Sequence, residues 1–419
     1  MNVAVVGGGI AGLLCARRLA EDHQVELFEA AETIGGHIAT VDVDLHGQSW
    51  AVDTGFIVFN TATYPNYVDL LGELDVPWRV GDMSFSARCE AEDVEYNGTS
   101  LNAMFAQRRN LLRPRFLRMM RDILRFYSSA HRVLEEPGPG PSLGEYLDKA
   151  GFSPEFVNWH LIPMGAAVWS AGEGQMRDFP AKYLIQFFHN HGFLKALGRP
   201  DWLTIRGGSR NVAKALVLGL ESKGVRIHLG SPLEGLERTQ DGVLLRTPGG
   251  PAEFDRVVLA CHADQSLALL KDATPLERDV LGAFPYQPND VVLHTDASLM
   301  PRRKRAWAAW NYHVDGSDEQ RANVTYWMNR LQGLDCPSPL LVTLNHTAGI
   351  HPDKVLGRFV YDHPIYTARG VAAQARHAEL NGSHRVYFAG AYWGYGFHED
   401  GVNSALQVAE HMSREMVQA

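Results

Sequence analysis

The chain has 419 residues, 45% hydrophobic and 21% charged, an ordinary globular composition too long for one compact core, so two domains are expected. Lysine and arginine number 39 against 48 aspartates and glutamates, and the net charge of −9 gives no global attraction to nucleic acid or anionic membrane. Cys15, Cys89, Cys261 and Cys336 are far apart and form no C-x-x-C pair, which argues against a disulfide framework or zinc site and for a reducing cytoplasm.

The first element is an apolar strand, Val3–Val6, running into a glycine-rich turn and a helix through Ala20. Gly7, Gly9 and Gly12 stand at G-x-G-x-x-G spacing. The first permits a tight turn, the second lets a pyrophosphate approach bare backbone, and the third lets helix pack close to strand. Ile10 and Ala11 open the helix, whose unpaired N–H groups and partial positive charge face the phosphates. A second strand, Val25–Phe28, ends in Glu29, about 20 residues on, where such folds place a carboxylate for ribose hydroxyls. Strand, turn, helix and acid in this order predict a dinucleotide site.

Nucleotide-binding pieces recur in three places, so the fold class is α/β: a discontinuous Rossmann-type domain (1–56, 203–282, 385–419) with an inserted α+β substrate domain (57–202, 283–384). In the first piece, Val52–Phe56 reads as a loop returning beneath the cofactor. Within the first insertion, Pro137-Gly138-Pro139-Gly140-Pro141 is a stiff, helix-free connector. The second piece starts at Leu203–Ser209, with a helix behind it through Leu220. Strands are expected at Val225–Leu229 and Val243–Arg246, with Asp241-Gly242 as a hairpin signal, and Arg256–Cys261 reads as a buried parallel strand. The third piece is a strand over Arg385–Gly390, then an aromatic loop and a final helix from about Val402.

From Arg108 to Arg125 the chain carries seven arginines and one acid, Asp122. Pro114 is placed to start a helix on which Arg118, Arg121 and Arg125 share one face and Phe116, Met120, Ile123 and Tyr127 another. That is the composition of an interfacial membrane helix, each arginine contributing ~1 kcal/mol near an anionic surface. The competing reading is a packed helix whose solvated arginines bond to acids of the other domain. The expected location is cytoplasmic, peripheral at the inner face of the membrane, since Met1-Asn2 leads straight into the first strand and no apolar run is long enough to cross a bilayer.

Glu29 through Gly35-Gly36-His37 resembles the E-x-x-x-x-x-G-G-R segment of the flavin amine oxidase superfamily, with His37 where arginine is most frequent. The resemblance covers nearly the whole chain and implies FAD as cofactor. Arg206-Gly207-Gly208 is similar to the family's second glycine pair, and Leu233 falls at its adenine-contacting position. Phe388-Ala389-Gly390-Ala391 is similar to F-A-G-[DE], with Ala391 replacing the acid that binds the ribityl chain. Gly401-Val402 would offer backbone N–H groups to the diphosphate or the flavin carbonyl. A narrower resemblance, carried by Asp53–Asn60, Tyr96–Leu101, Pro163–Ser170, Phe187–Gly192 and Gly390–Gly401, is to FAD-binding oxidoreductases encoded beside or fused to cyclopropane-fatty-acid synthases. It implies oxidation of an unsaturated, methylated or cyclopropanated fatty acyl chain on a phospholipid, with the synthase as a partner and no role for nucleic acid. The alternatives are an amine oxidase acting on a small amine, a redox-neutral flavin isomerase, and a flavin-loaded partner without turnover.

The chemistry would be the flavin's, with the protein positioning a C–H bond and excluding water. Tyr392, Trp393, Tyr395 and Phe397 form an expected aromatic wall, with Trp169 and Trp310 as further pocket residues. His398 is the preferred general acid/base and Tyr395 the second catalytic candidate, while Glu399 and Asp400 read equally well as caps of the final helix. His189-x-His191 lacks the further ligands a metal needs.

Overall fold

Five parallel strands carry the first glycine turn. In the computed structural model, which describes residues 1–195, 198–314 and 321–418, they stand in the order Val386–Phe388, Arg256–Leu259, Asn2–Val6, Gln24–Phe28, Arg226–His228. Strand periodicity sends alternate side chains to opposite faces. Val3 and Val5 enter one core, with the helices Ile10–Leu19, Arg210–Ser222 and His398–Gln418. Ala4 and Val6 enter another, shared with a three-stranded antiparallel sheet and the helix Pro275–Leu281.

Two expectations need correction here. The turn at Asp241-Gly242 joins Val243–Thr247 to Gly235–Arg238, not to the strand near Val225, which belongs to the parallel sheet. The final helix begins at His398 rather than near Val402, because the Asp400 carboxylate in its first turn accepts the Phe397 N–H at 2.9 Å and secures a start one turn earlier.

The segments 57–202 and 283–384 meet in a seven-stranded sheet ordered Val355–Pro364, Tyr286–His294, Leu341–Leu344, Val324–Trp327, Trp310–Val314, Phe85–Cys89, Val94–Asn97. Only the pair Trp310–Val314 with Phe85–Cys89 is parallel, which is how the two insertions join. Helices pack on this sheet, and one widens into a π turn at Val157–Leu161 just before Pro163. Proline has no N–H to return to the Trp159 carbonyl, and Tyr96 Oη donates to that oxygen instead, at 2.8 Å.

Candidate functional site

At the end of the strand Asn2–Val6 the glycine turn is built as its spacing implies. Gly7 has φ 108° and donates its N–H to Phe28 O at 2.8 Å. A Cβ at Gly12 would lie 1.9 Å from Gly7 O, so only glycine lets the helix close on the turn. A Cβ at Gly9 meets no protein atom within 4 Å, which leaves open space beside bare backbone. The Glu29 carboxylate is fixed by the N–H groups of Gly8 and Ala31, at 2.7 and 2.8 Å. Gly35, at φ 127°, donates to Gly8 O at 2.9 Å, and a Cβ on Gly36 would approach Gly9 Cα to 3.3 Å, so the second glycine pair lies against the first turn.

Two helix N-termini converge there. Ile10 packs against Gly401, and Cys15 reaches Ala405 O, so the helices Ile10–Leu19 and His398–Gln418 run parallel with their positive ends together. Gly9 supplies no side-chain cap to the first helix, and its leading N–H groups remain available to an anion. Just past the edge strand Val386–Phe388, Gly390 donates its N–H to Ser404 Oγ at 2.9 Å, which fixes Gly390-Ala391 beside the final helix.

The Arg206-Gly207-Gly208 turn has φ 74° and 96° at its glycines, and Arg206 Nε donates to Trp78 O at 3.1 Å. It is tied to the first piece through Asp53. Asp53 Oδ1 accepts from Thr40 Oγ1, Ser209 N and Ser209 Oγ at 2.5, 2.8 and 3.0 Å, and Oδ2 accepts from Gln332 Nε2 at 2.8 Å. Burial raises this carboxyl to about 6 despite those bonds. The sequence marks Asp53 as part of a loop, but the hub exists only because residues 40, 209 and 332 meet in space.

His37 follows Gly36 into a cluster of imidazoles. Its ring centroid is 5.5 Å from His363, 6.1 Å from His262 and 5.3 Å from Tyr361, and its Nε2 is buried without a partner. Burial first, then the neighbouring imidazoles, hold His37 well below the ordinary histidine value, and burial brings His363 to about 4. Tyr361 Oη shares a 2.8 Å hydrogen bond with Thr54 Oγ1. His363 and Tyr361 carry no local motif, since they reach the site only through the edge strand Val355–Pro364.

His398 is stacked on Phe56 with centroids 3.5 Å apart, and burial brings its imidazole to about 3. A ring held neutral in this way is a weak base at pH 7, against the general acid/base role expected of it. Glu399 caps a different helix, Pro65–Glu73, accepting from the N–H groups of Asn66 and Tyr67 at 3.1 and 2.8 Å. Asp400 accepts from the backbone of Tyr395, Gly396 and Phe397, and burial raises it to about 7.

The expected aromatic wall divides. Trp169, Tyr395 and Phe397 come together with Phe179, Tyr183, Phe187 and Tyr366: Trp169 lies 4.8 Å from Phe179 and Phe187, Tyr395 4.5 Å from Tyr183, and Phe397 5.2 Å from Phe187. Trp169 Nε1 also donates to Tyr395 O at 3.1 Å. Burial pushes the Tyr395 phenol up to about 12, so it stays neutral. Tyr392 and Trp393 instead pack on Phe284 in the core behind the parallel sheet, with Trp393 over His377 at 4.3 Å. Leu233 packs against that same core. Trp310 stands edge-on to Tyr326 at 4.9 Å, on the seven-stranded sheet. His191 stacks on Phe187 at 3.9 Å, and among the described residues no group of three or more His, Cys, Asp or Glu side chains could hold a metal.

The open space at Gly9, the uncapped start of the helix Ile10–Leu19 beside it and the fixed Glu29 carboxylate fit a dinucleotide, and the unpartnered His37 Nε2 offers a polar atom at its edge. The Gly401 N–H, expected to face the cofactor, is instead donated to Phe397 O at 3.1 Å inside the final helix. The comparisons agree with this geometry. The family model for flavin containing amine oxidoreductases matches residues 10–333. The 15-cis-phytoene desaturase of Arabidopsis thaliana is 26% identical over 295 residues, 65% of this chain and 50% of that protein, so the chain spans about half the length of such curated relatives. Cyclohexylamine oxidase from Brevibacterium oxydans shares the fold with a TM-score of 0.69 at 14% identity over 99% of both chains. The CLA-producing fatty acid isomerase from P. acnes does so with a TM-score of 0.67 at 15% identity over 98% of both. Its glycine turns, discontinuous dinucleotide fold and family match together make this chain a member of the flavin-containing amine oxidoreductase family, with FAD as its cofactor.

Proposed function

We propose that this enzyme oxidises an unsaturated, methylated or cyclopropanated fatty acyl chain carried on a phospholipid. The observation behind this reading is the uncharged character of the aromatic cluster around Trp169, Tyr183, Tyr366 and Tyr395. Its neighbouring carboxylate, Asp400, is committed to three backbone N–H groups and is half neutralised near pH 7 by burial. An alkyl chain needs only apolar walls of this kind. The names of two relatives, a phytoene desaturase and a fatty acid isomerase, point the same way, towards long apolar substrates.

Bound FAD supplies the hydride acceptor. The chain's own residues hold the acyl segment and keep water away. Tyr183 Oη donates to Gly394 O at 2.7 Å, and Gln374 Nε2 bonds the same carbonyl and that of Tyr392, which fixes the loop carrying Tyr395. The test is lipid mass spectrometry of cells with and without the gene, with a cyclopropane-fatty-acid synthase co-expressed as the proposed partner. Acyl chains that lose a hydrogen pair are the expected result. An unchanged acyl profile overturns the proposal, and a shifted double bond at constant mass replaces it with isomerisation. Hydrogen peroxide release on adding amines, with no lipid change, replaces it with amine oxidation.

A further inference from the structure

The arginine stretch is joined in the fold by a second basic run. Glu95, buried on the strand Val94–Asn97, accepts the N–H groups of Arg302 and Arg303 at 2.9 and 3.2 Å. Asn97 Nδ2 donates to Trp307 O at 2.9 Å on the far side. These clamps set the exposed residues Arg302-Arg303-Lys304-Arg305 beside the short helix Leu101–Met104, which leads directly into the arginine stretch. The competing expectation, acids from the other domain, is corrected: the carboxylates that meet the arginines, Glu92, Asp93, Asp122 and Glu155, belong to the same insertion. With Glu90, which pairs with Arg302, and Glu95, six carboxylates face eleven basic side chains, so the surface stays positive on a chain of net −9.

Leucines interleave with these charges. Five of the ten exposed large hydrophobic side chains among the described residues are Leu101, Leu111, Leu112, Leu117 and Leu124, so half of them fall in this one short segment. Leu112 is 88% exposed, Leu101 73% and Leu124 62%. On the helix Pro114–Ser129, Phe116, Met119, Ile123 and Phe126 are buried. Helical periodicity puts Leu117, Leu124 and Arg121 together on the opposite, outer arc, flanked by Arg118 and Arg125.

We infer that residues 101–125 and 302–305 form a docking surface for an anionic phospholipid bilayer, with the leucines entering the acyl boundary and the guanidinium groups at the headgroup phosphates. The charge is complementary to that surface, and arginine stems lie alongside the inserted leucines. Nucleic acid matches the charge but gains nothing from exposed leucines, and no exposed aromatic ring offers stacking there. A second copy of the chain would set like charges against each other. The inference does not depend on the acyl substrate, because binding to vesicles is measured without turnover.

The experiment is flotation of the FAD-loaded full chain with phosphatidylcholine vesicles containing phosphatidylglycerol, and with phosphatidylcholine alone. We expect binding to the anionic vesicles, at least about ten-fold weaker on phosphatidylcholine and weakened by salt. Leu112→Ser with Leu124→Ser, and separately Arg121→Glu with Lys304→Glu, each lower it by about ten-fold or more while flavin content and melting temperature hold. Leu218→Ser, exposed elsewhere, leaves it unchanged. Three outcomes overturn the inference: no flotation with either vesicle; flotation that neither variant pair weakens; or duplex DNA binding that needs the basic residues and ignores the leucines. A change in oligomeric mass in the leucine variant without vesicle binding assigns the face to a second copy, and also overturns it.

Discussion

A methyl group added at Gly12 would lie 1.9 Å from the Gly7 carbonyl oxygen, whereas one added at Gly9 meets no protein atom within 4 Å. The two substitutions therefore separate folding from cofactor binding. Gly12→Ala forces helix from strand and is expected to cost ~1–3 kcal/mol in stability, read by thermal or urea unfolding. Gly9→Ala is expected to keep the flavin-free melting temperature and lose bound flavin, read from visible absorbance after desalting. A second residue, Asp53, makes stability depend on pH. Its folded value of about 6 lies above the ordinary 3.8, so the folded state keeps a proton that the unfolded chain releases. As pH rises from about 4 to about 6, this group's contribution falls. Asp53→Asn lacks that titration, so its melting temperature relative to wild type is expected to rise across the same window. A flat difference would refute the assignment.

At the scale of elements, the helix Pro65–Glu73 has no side-chain cap from its own N-cap residue, Tyr64, and borrows the Glu399 carboxylate from the final helix. Glu399→Ala should cost ~1–2 kcal/mol, and Glu399→Gln less, because the amide oxygen still accepts. Urea unfolding of both variants checks the ranking. The sequence shows an acid beside a helix start, which naturally reads as a cap for that helix. Which helix it caps depends on how two distant segments pack. The same limit explains the Asp241-Gly242 turn: its chemistry marks a hairpin, but the partner strand was selected by the three-stranded sheet, where Leu236 and Leu245 find a common core.

For the whole molecule, the glycine turn near Gly9, the Arg206-Gly207-Gly208 turn and the start of the final helix come from three separated pieces of chain. FAD held by these residues would tie those pieces together. A ligand that binds only the folded state stabilises it by ~2.7 kcal/mol at a hundredfold excess over its Kd. The melting temperature should therefore climb by several degrees with added FAD and fall when flavin is stripped, while riboflavin, which lacks the diphosphate, gives a smaller shift. Equal shifts with FAD and riboflavin would remove the diphosphate from the account.

The sequence by itself determined the dinucleotide turn, the apolar strand and the helix on either side of it, and the family to which the chain is similar. Those properties are local: glycine's freedom at positive φ, the period of a strand, the charge at a helix end. Only the tertiary structure decided that Tyr392 and Trp393 leave the aromatic cluster for the core behind the sheet, that His398 is a buried neutral ring on Phe56, and that a second basic run joins the arginine stretch. The direction a side chain takes, and the groups that face it, follow from which distant segments pack together, and residue spacing carries no record of that.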